Sequence, residues 1–227
     1  MTGPGQTTAM TQFEQLRSRM VDNQLRTSGV TEPALLAQMA KVPRERFVPA
    51  DRQAVAYMDN VQWLGEGAAR RFIMPPATLA KLLQLAEIGA DDSVLDVGAG
   101  TGYGTAVMAG LARSVTGLEA DATLATTAAA NLQDLGIANA TIVAGDIAAL
   151  GRTGFDVIVV EGSLDTVPAA LFAALKDGGR LIALIRAGGV AVANVFVKTG
   201  TAIAARGEFN ATLPPLVQAQ AQPEFVF

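Results

Sequence analysis

The stretch Ser93-Val94-Leu95-Asp96-Val97-Gly98-Ala99-Gly100-Thr101-Gly102-Tyr103-Gly104 constrains this chain more than any other. An apolar run carrying one acid passes into a glycine-rich turn, and an apolar helical pattern through Ala106, Val107, Ala109 and Leu111 follows. That order predicts a buried strand, a tight turn and a crossover helix, the junction at which open α/β sheets take up nucleotides. The glycines let the backbone approach a ligand closely. Glu119, 19 positions beyond Gly100, closes the next apolar run, where a carboxylate can accept from ribose hydroxyls.

Spacing narrows the ligand. A dinucleotide fingerprint, G-x-G-x-x-G, fails in both frames, because its third glycine would fall on Tyr103 or on Thr105. No G-x-x-x-x-G-K-[ST] is present either, so no lysine follows the loop to cradle phosphates. The remaining Asp-x-Gly-x-Gly-x-Gly with a later Glu suits a nucleoside without phosphate, its ribose and charged tail held by carboxylates and backbone groups. S-adenosylmethionine is such a ligand. The competing reading is a strand-to-helix turn that binds nothing.

Composition removes several chemistries. The chain has no cysteine and no histidine, which excludes disulfides, thiolate catalysis, His-based triads, a histidine base and Cys- or His-ligated metal. No metal site is expected. The net charge is -4 and no long basic block occurs, so a nucleic-acid partner is not expected. No apolar run reaches the 18 residues of a membrane helix, and Met1–Thr11 is polar and Gly/Thr-rich without the apolar centre of a signal peptide. The expectation is a cytoplasmic protein without a membrane partner, with monomer and homodimer both open.

Three blocks follow one another along the chain. Residues 1–12 read as a disordered lead-in. Residues 13–76 read as a helical extension, with Leu16, Met20 and Gln24 spaced four apart and an apolar face of Leu35, Leu36 and Met39 opened by Thr31 and Pro33. Its basic residues, Arg17, Arg19, Arg26, Lys41, Arg44, Arg46 and Arg52, read as solvated helix faces. The block ends in an irregular segment with Trp63, Arg70-Arg71 and Met74-Pro75-Pro76, which reads equally as one wall of an acceptor pocket or as a packing connection with Trp63 buried for stability alone. Residues 77–227 read as the α/β core, with strands at 94–97, 115–119, 141–144, 155–160 and 180–185. Residues 190–198 and 201–206 read as a terminal hairpin, and the aromatic tail Glu224-Phe225-Val226-Phe227 as docked. The expected fold is α/β, a doubly wound, mostly parallel sheet with an antiparallel edge hairpin and an N-terminal helical extension.

Several residues can hold the cofactor. Asp96, an acid in an apolar strand, needs a partner when buried; it could order the glycine loop or meet the methionine amino group through water. Gly98, Ala99, Gly100, Thr101 and Gly102 form the loop, and Glu119 with Ala120 meets the ribose. Asp146 can accept from the adenine amino group while Ile147 packs on the ring. Glu161, Gly162 and Ser163 end their strand at the same sheet edge and should face the transferred methyl or the acceptor. A helix N-cap role for Ser163 or Asp165 is the alternative there.

The chain resembles the protein-L-isoaspartate O-methyltransferase family. The resemblance runs from about Arg19 to Leu216 and is carried by RMVDNQLRTSGV (19–30), KVPRERFVP (41–49), VLDVGAGTGYGTAVMA (94–109), GLEAD (117–121), NLQDLGIANATIVAGD (131–146), FDVIVVEG (155–162) and LKDGGRLIALI (175–185). The two N-terminal motifs are the more specific, since the glycine loop marks only the wider superfamily. The resemblance implies a Rossmann-like seven-stranded core, S-adenosylmethionine as cofactor and an isoaspartyl-containing protein or peptide as substrate. By match, Glu119 would bind ribose, Asp146 the adenine side, and Gly98, Gly100 and Gly102 the methionine side. One segment departs from the pattern. The family usually has Gly-x-Gly-Gln-Thr-Ile-Ser-x-Pro before the core, and alignment on Pro76 puts Arg71 at the Gln, Phe72 at the Thr and Met74 at the Ser. Glu161 likewise replaces a small, uncharged residue. Arg70 or Arg71 could therefore hold the acceptor carboxylate in place of the lost hydroxyls, and Glu161 could orient or deprotonate an altered acceptor.

Overall fold

A computed structural model describes residues 11–66, 70–151, 153–188 and 190–216. The lead-in before Thr11 and the aromatic tail lie outside the described residues. The first helix, α1 (Gln12–Met20), starts one residue earlier than expected because Thr11 and Glu14 form a capping box, each side chain bonding the other's backbone amide. A π turn over Val21–Leu25 and a short 3-10 turn follow, and Gly29 at φ 85° ends the run. The next helix, α2 (Pro33–Lys41), is capped by the Glu32 side chain rather than by Thr31. β1 (Gln62–Leu64) and β2 (Arg71–Ile73) then pair antiparallel as a small ribbon.

The core begins with α3 (Pro76–Ala86) and β3 (Ser93–Val97), followed by α4 (Tyr103–Ala109), β4 (Ser114–Glu119), α5 (Ala122–Asp134) and β5 (Ala140–Ala144). It continues through β6 (Phe155–Leu164), α6 (Ala169–Ala174), β7 (Leu175–Ala187), β8 (Val190–Thr199) and β9 (Ala202–Ala211). Seven strands form one sheet in the order β5-β4-β3-β6-β7-β8-β9. The first five neighbours pair in parallel, and β8 and β9 join antiparallel at the edge, as the sequence predicts.

Strand alternation builds two cores. Val94, Val157, Val159, Ile182 and Leu184 point to the face covered by α3, α4 and the N-terminal extension. Leu95, Val97, Ile158, Val160, Leu181 and Ala183 point to the other face, against Leu171 and Ala174 of α6. Near-continuous apolar strands are the expected consequence of a sheet buried on both sides.

Three expectations fail in instructive ways. Arg44 is not on a solvated face: it is fully buried, with Nε donating to the Ala56 carbonyl at 2.7 Å, Nη2 to the Met74 carbonyl at 2.7 Å, and its guanidinium 4.6 Å from the Tyr103 ring centroid. It fastens the extension to α4 and to the segment before α3, and burial lowers its pKa. Second, β6 does not stop at Val160. Its pairing with β7 shifts between Val159 and Ser163, so that Glu161 and Gly162 lie in the irregular stretch and the strand resumes beyond them. Third, neither Ser163 nor Asp165 caps a helix. The Ser163 hydroxyl donates to the Leu213 carbonyl, Asp165 pairs with Arg186 at 2.6 Å, and α6 starts after Pro168 without a side-chain cap.

Candidate active site

The chain runs β3, β4, β5 outward in one direction and then returns to place β6 on the other side of β3. Ligands of open α/β sheets bind at the carboxyl ends of the strands beside such a reversal. A cavity of about 490 Å³ lies there, with Val97 and Gly98 after β3, Ala120 and Asp121 after β4, Gly145, Asp146 and Ile147 after β5, and Leu164 on β6. Pro168, Leu171, Arg71 and Leu216 close it. A roomier groove of about 590 Å³ is lined only by residues 14–40 of the helical extension, away from these strand ends.

The loop owes its shape to its glycines. Gly98, Gly100 and Gly102 all have positive φ (87°, 56° and 93°), a region that side chains with a Cβ rarely adopt. The Gly98 amide donates to the Leu118 carbonyl at 2.8 Å, which ties the turn to β4. Thr101 faces away from the cavity: its hydroxyl donates to the Phe47 carbonyl at 2.5 Å, and its own carbonyl accepts from Asn131. It thus holds the extension to the loop. Ala99 and Gly102 support the turn and do not line the cavity.

Glu119 is fully buried and fully engaged. Oε2 accepts from the Gly100 amide at 2.7 Å and Oε1 from the Asp121 amide at 3.0 Å. The remaining capacity goes to Arg71, whose Nε lies 3.2 Å from Oε1 and whose Nη2 lies 3.4 Å from Oε2. Arg71 Nη1 donates to the Leu216 carbonyl. Asp146 lines the cavity, with one carboxylate oxygen accepting from the Ala148 amide at 2.9 Å, and Ile147 stands beside it. Arg70 lies outside this group, exposed and stacked 3.8 Å from the Trp63 ring centroid.

Asp96 and Glu161 form a second group beneath the loop, on the side of the extension. Asp96 Oδ2 accepts from the Thr105 hydroxyl at 2.5 Å, so this acid does order the start of α4. Sequence reasoning put Glu161 at the sheet edge facing the acceptor; the structure turns its carboxyl inward. It is 2% exposed, does not line the cavity, and its Oε1 would meet a Cβ on Gly104 at 1.7 Å. Gly104 is the space in which this carboxyl fits. Burial and then the neighbouring Asp96 charge push Glu161 well above the ordinary carboxylate range. Burial also pushes Asp96 up to about 6, against the lowering effect of the Thr105 hydroxyl. A carboxyl shifted in this direction takes up a proton more readily than an ordinary carboxylate.

The cavity fits S-adenosylmethionine on its own chemistry. Its apolar walls are interrupted by Asp146 and Asp121, its volume lies in the range of small-molecule sites, and Gly98 of the glycine loop lines it. Glu119, the carboxylate expected to meet a ribose, is already fixed by two backbone amides. Sequence reasoning missed the C-terminal strap. Leu216 donates its amide to the Ser163 carbonyl at 2.9 Å, the Ser163 amide donates to Pro214, and the Leu216 side chain covers Gly98. No local pattern in the tail announces that contact.

Comparison with known proteins bears on this site. The family model for protein-L-isoaspartate(D-aspartate) O-methyltransferase matches residues 15–220. The chain belongs to the protein-L-isoaspartate O-methyltransferase family. A protein-L-isoaspartate O-methyltransferase of Koribacter versatilis is 38% identical over 179 residues, covering 76% of this chain and 78% of its own. One from Opitutus terrae is 39% identical over 172 residues, covering 73% and 71%. Among solved structures, a protein-L-isoaspartate O-methyltransferase superposes with a TM-score of 0.77 at 25% identity, over 88% of this chain and 65% of that one. A Plasmodium falciparum structure of the same family, solved with S-adenosyl-L-homocysteine, gives a TM-score of 0.75 at 22% identity over 92% of this chain. The fold is therefore that of S-adenosylmethionine-dependent methyltransferases, with the helical extension that marks this family among them.

Proposed function

We propose that the protein transfers the methyl group of S-adenosylmethionine to the free carboxylate of L-isoaspartyl residues in damaged proteins or peptides, a repair reaction carried out in the cytoplasm. Bound at the strand ends, the cofactor supplies an electrophilic sulfonium methyl. The observation that carries the acceptor side is Arg71, the one cation among the described residues lining the cavity. A carboxylate acceptor is ionised near neutral pH and needs no general base, consistent with a chain that has no histidine. Catalysis then consists of orientation and charge complementarity, for which a planar guanidinium is suited.

Glu119 would hold the ribose, Asp146 and Ile147 the adenine end, and Gly98 with its loop the methionine end. Asp96 and Glu161 act beneath the loop by positioning it. A second reading, a changed acceptor or cofactor binding without transfer, is favoured by Phe72 and Met74. Both are buried in the core at 2% and 0% exposure and offer no hydroxyl to a substrate. Methyl transfer to an isoaspartyl peptide, with the matched aspartyl peptide as control, separates the two. Selective esterification is expected, and cofactor binding without esterification would favour the second reading.

A further inference from the structure

Glu119 presents a problem of capacity. A carboxylate offers about four lone-pair sites. Two are taken by the Gly100 and Asp121 amides, which belong to the fold and do not leave. The other two go to Arg71, which itself lines the cavity, through Nε and Nη2. A ribose presents two adjacent hydroxyls and needs those same two sites. The guanidinium is also pressed against the loop: a Cβ on Gly98 would lie 2.6 Å from Arg71 Nη2 and 2.3 Å from the Leu216 side chain. Ribose and Arg71 therefore cannot hold Glu119 together.

We propose that Arg71 is an internal competitor of the ribose, and that cofactor binding hands its guanidinium from Glu119 to the carboxylate of the acceptor. The second half rests on the isoaspartyl reading above; the first does not. Arg71 is anchored at its backbone in β2, whose partner strand β1 carries Leu64, 3.2 Å from where a Cβ on Gly100 would be. Displacement therefore moves the side chain and leaves the strand in place. Once off Glu119, the guanidinium keeps, among the described residues, only the Leu216 carbonyl as a hydrogen-bond acceptor. An incoming carboxylate restores the lost charge pairing and can be held bidentately. The two ligands then favour each other: each removes part of the cost of separating Arg71 from Glu119, and the coupling is the same in both directions.

The test uses the full chain, S-adenosyl-L-homocysteine as the non-reacting ribose ligand, and calorimetry with and without an isoaspartyl peptide. Arg71→Met and Arg71→Gln both remove the competing charge. Both variants are expected to bind S-adenosyl-L-homocysteine roughly ten-fold more tightly than the wild type, the equivalent of about 1.4 kcal/mol. In the wild type the peptide should tighten that binding at least about five-fold, and in the variants this gain should vanish. Melting curves identify any variant that misfolds, and either variant alone suffices. Affinity unchanged or weakened in a variant that melts like the wild type would overturn the competition. Tightened variants with no peptide effect in any protein would leave the competition standing and remove the isoaspartyl acceptor.

Discussion

Glu119 at the end of β4 and Glu161 near the end of β6 flank the same central strand, yet they are held in opposite ways. Glu119 accepts from two backbone amides and a guanidinium, so its negative charge is compensated on every side. Glu161 faces another acid, Asp96, and among the described residues its Oε1 has no partner of hydrogen-bonding geometry. The first arrangement surrounds a carboxylate with donors that a polar ligand could replace in part. The second packs a carboxyl against a like charge and shifts it toward its protonated form. Equal burial at equivalent ends of neighbouring strands therefore says little about role; the hydrogen-bond partners decide it.

The largest effect should come from Glu119→Gln. An amide there turns one acceptor into a donor against Gly100, Asp121 and Arg71, all of which donate. Cofactor affinity should fall about a hundred-fold, read by calorimetry. A smaller loss would mean that the ribose is held elsewhere, and the contrast between the two acids would collapse.

Gly104→Ala should cost about 1–3 kcal/mol of stability, because its Cβ drives into the Glu161 carboxyl. In a Glu161→Ala background the same change should become neutral or stabilise by up to about 1 kcal/mol, since position 104 lies in α4 and Ala is the better helix former. A double-mutant cycle in chemical denaturation measures the difference. Additive costs would show that Glu161 does not occupy the space over Gly104.

The smallest effect concerns pH. Both buried acids have folded-state pKa values raised above their unfolded ones, so their contribution to stability is fully present below about pH 4. It is lost as pH rises through about 6 for Asp96 and higher for Glu161. Glu161→Gln removes the Glu161 share and the repulsion it imposes on Asp96. The variant should melt near the wild type at pH 4 and a few degrees above it at pH 8, the equivalent of about 1–2 kcal/mol. A wild-type temperature at pH 8 would mean that Glu161 is ionised without penalty.

Legibility in the sequence divided along the same lines. The glycine loop, the positions of Glu119 and Asp146 at strand ends and the parallel character of the sheet were readable, because local rules govern them: positive φ requires glycine, and a doubly covered strand requires an unbroken apolar run. Arg44 was misread as solvated, since a short motif cannot show that Ala56, Met74 and Tyr103 converge on it. The length of β6 was misread because its far half pairs only after a register shift with β7. Arg71 was legible as a cation of the segment before the core, but its partner was not, for 48 positions separate it from Glu119.

By itself, the sequence determined the fold class, the family, the nucleoside-type loop and the absence of histidine and cysteine chemistry, all properties of residue type and near spacing. Only the tertiary structure decided which acid is bound by backbone amides and a guanidinium and which is sealed beneath the loop, and that Leu216 of the C-terminal strap closes the cavity. Those outcomes depend on which side chains distant in sequence supply hydrogen bonds to a buried charge. That competition is settled when the extension, the loop and the C-terminal strap pack against one sheet edge.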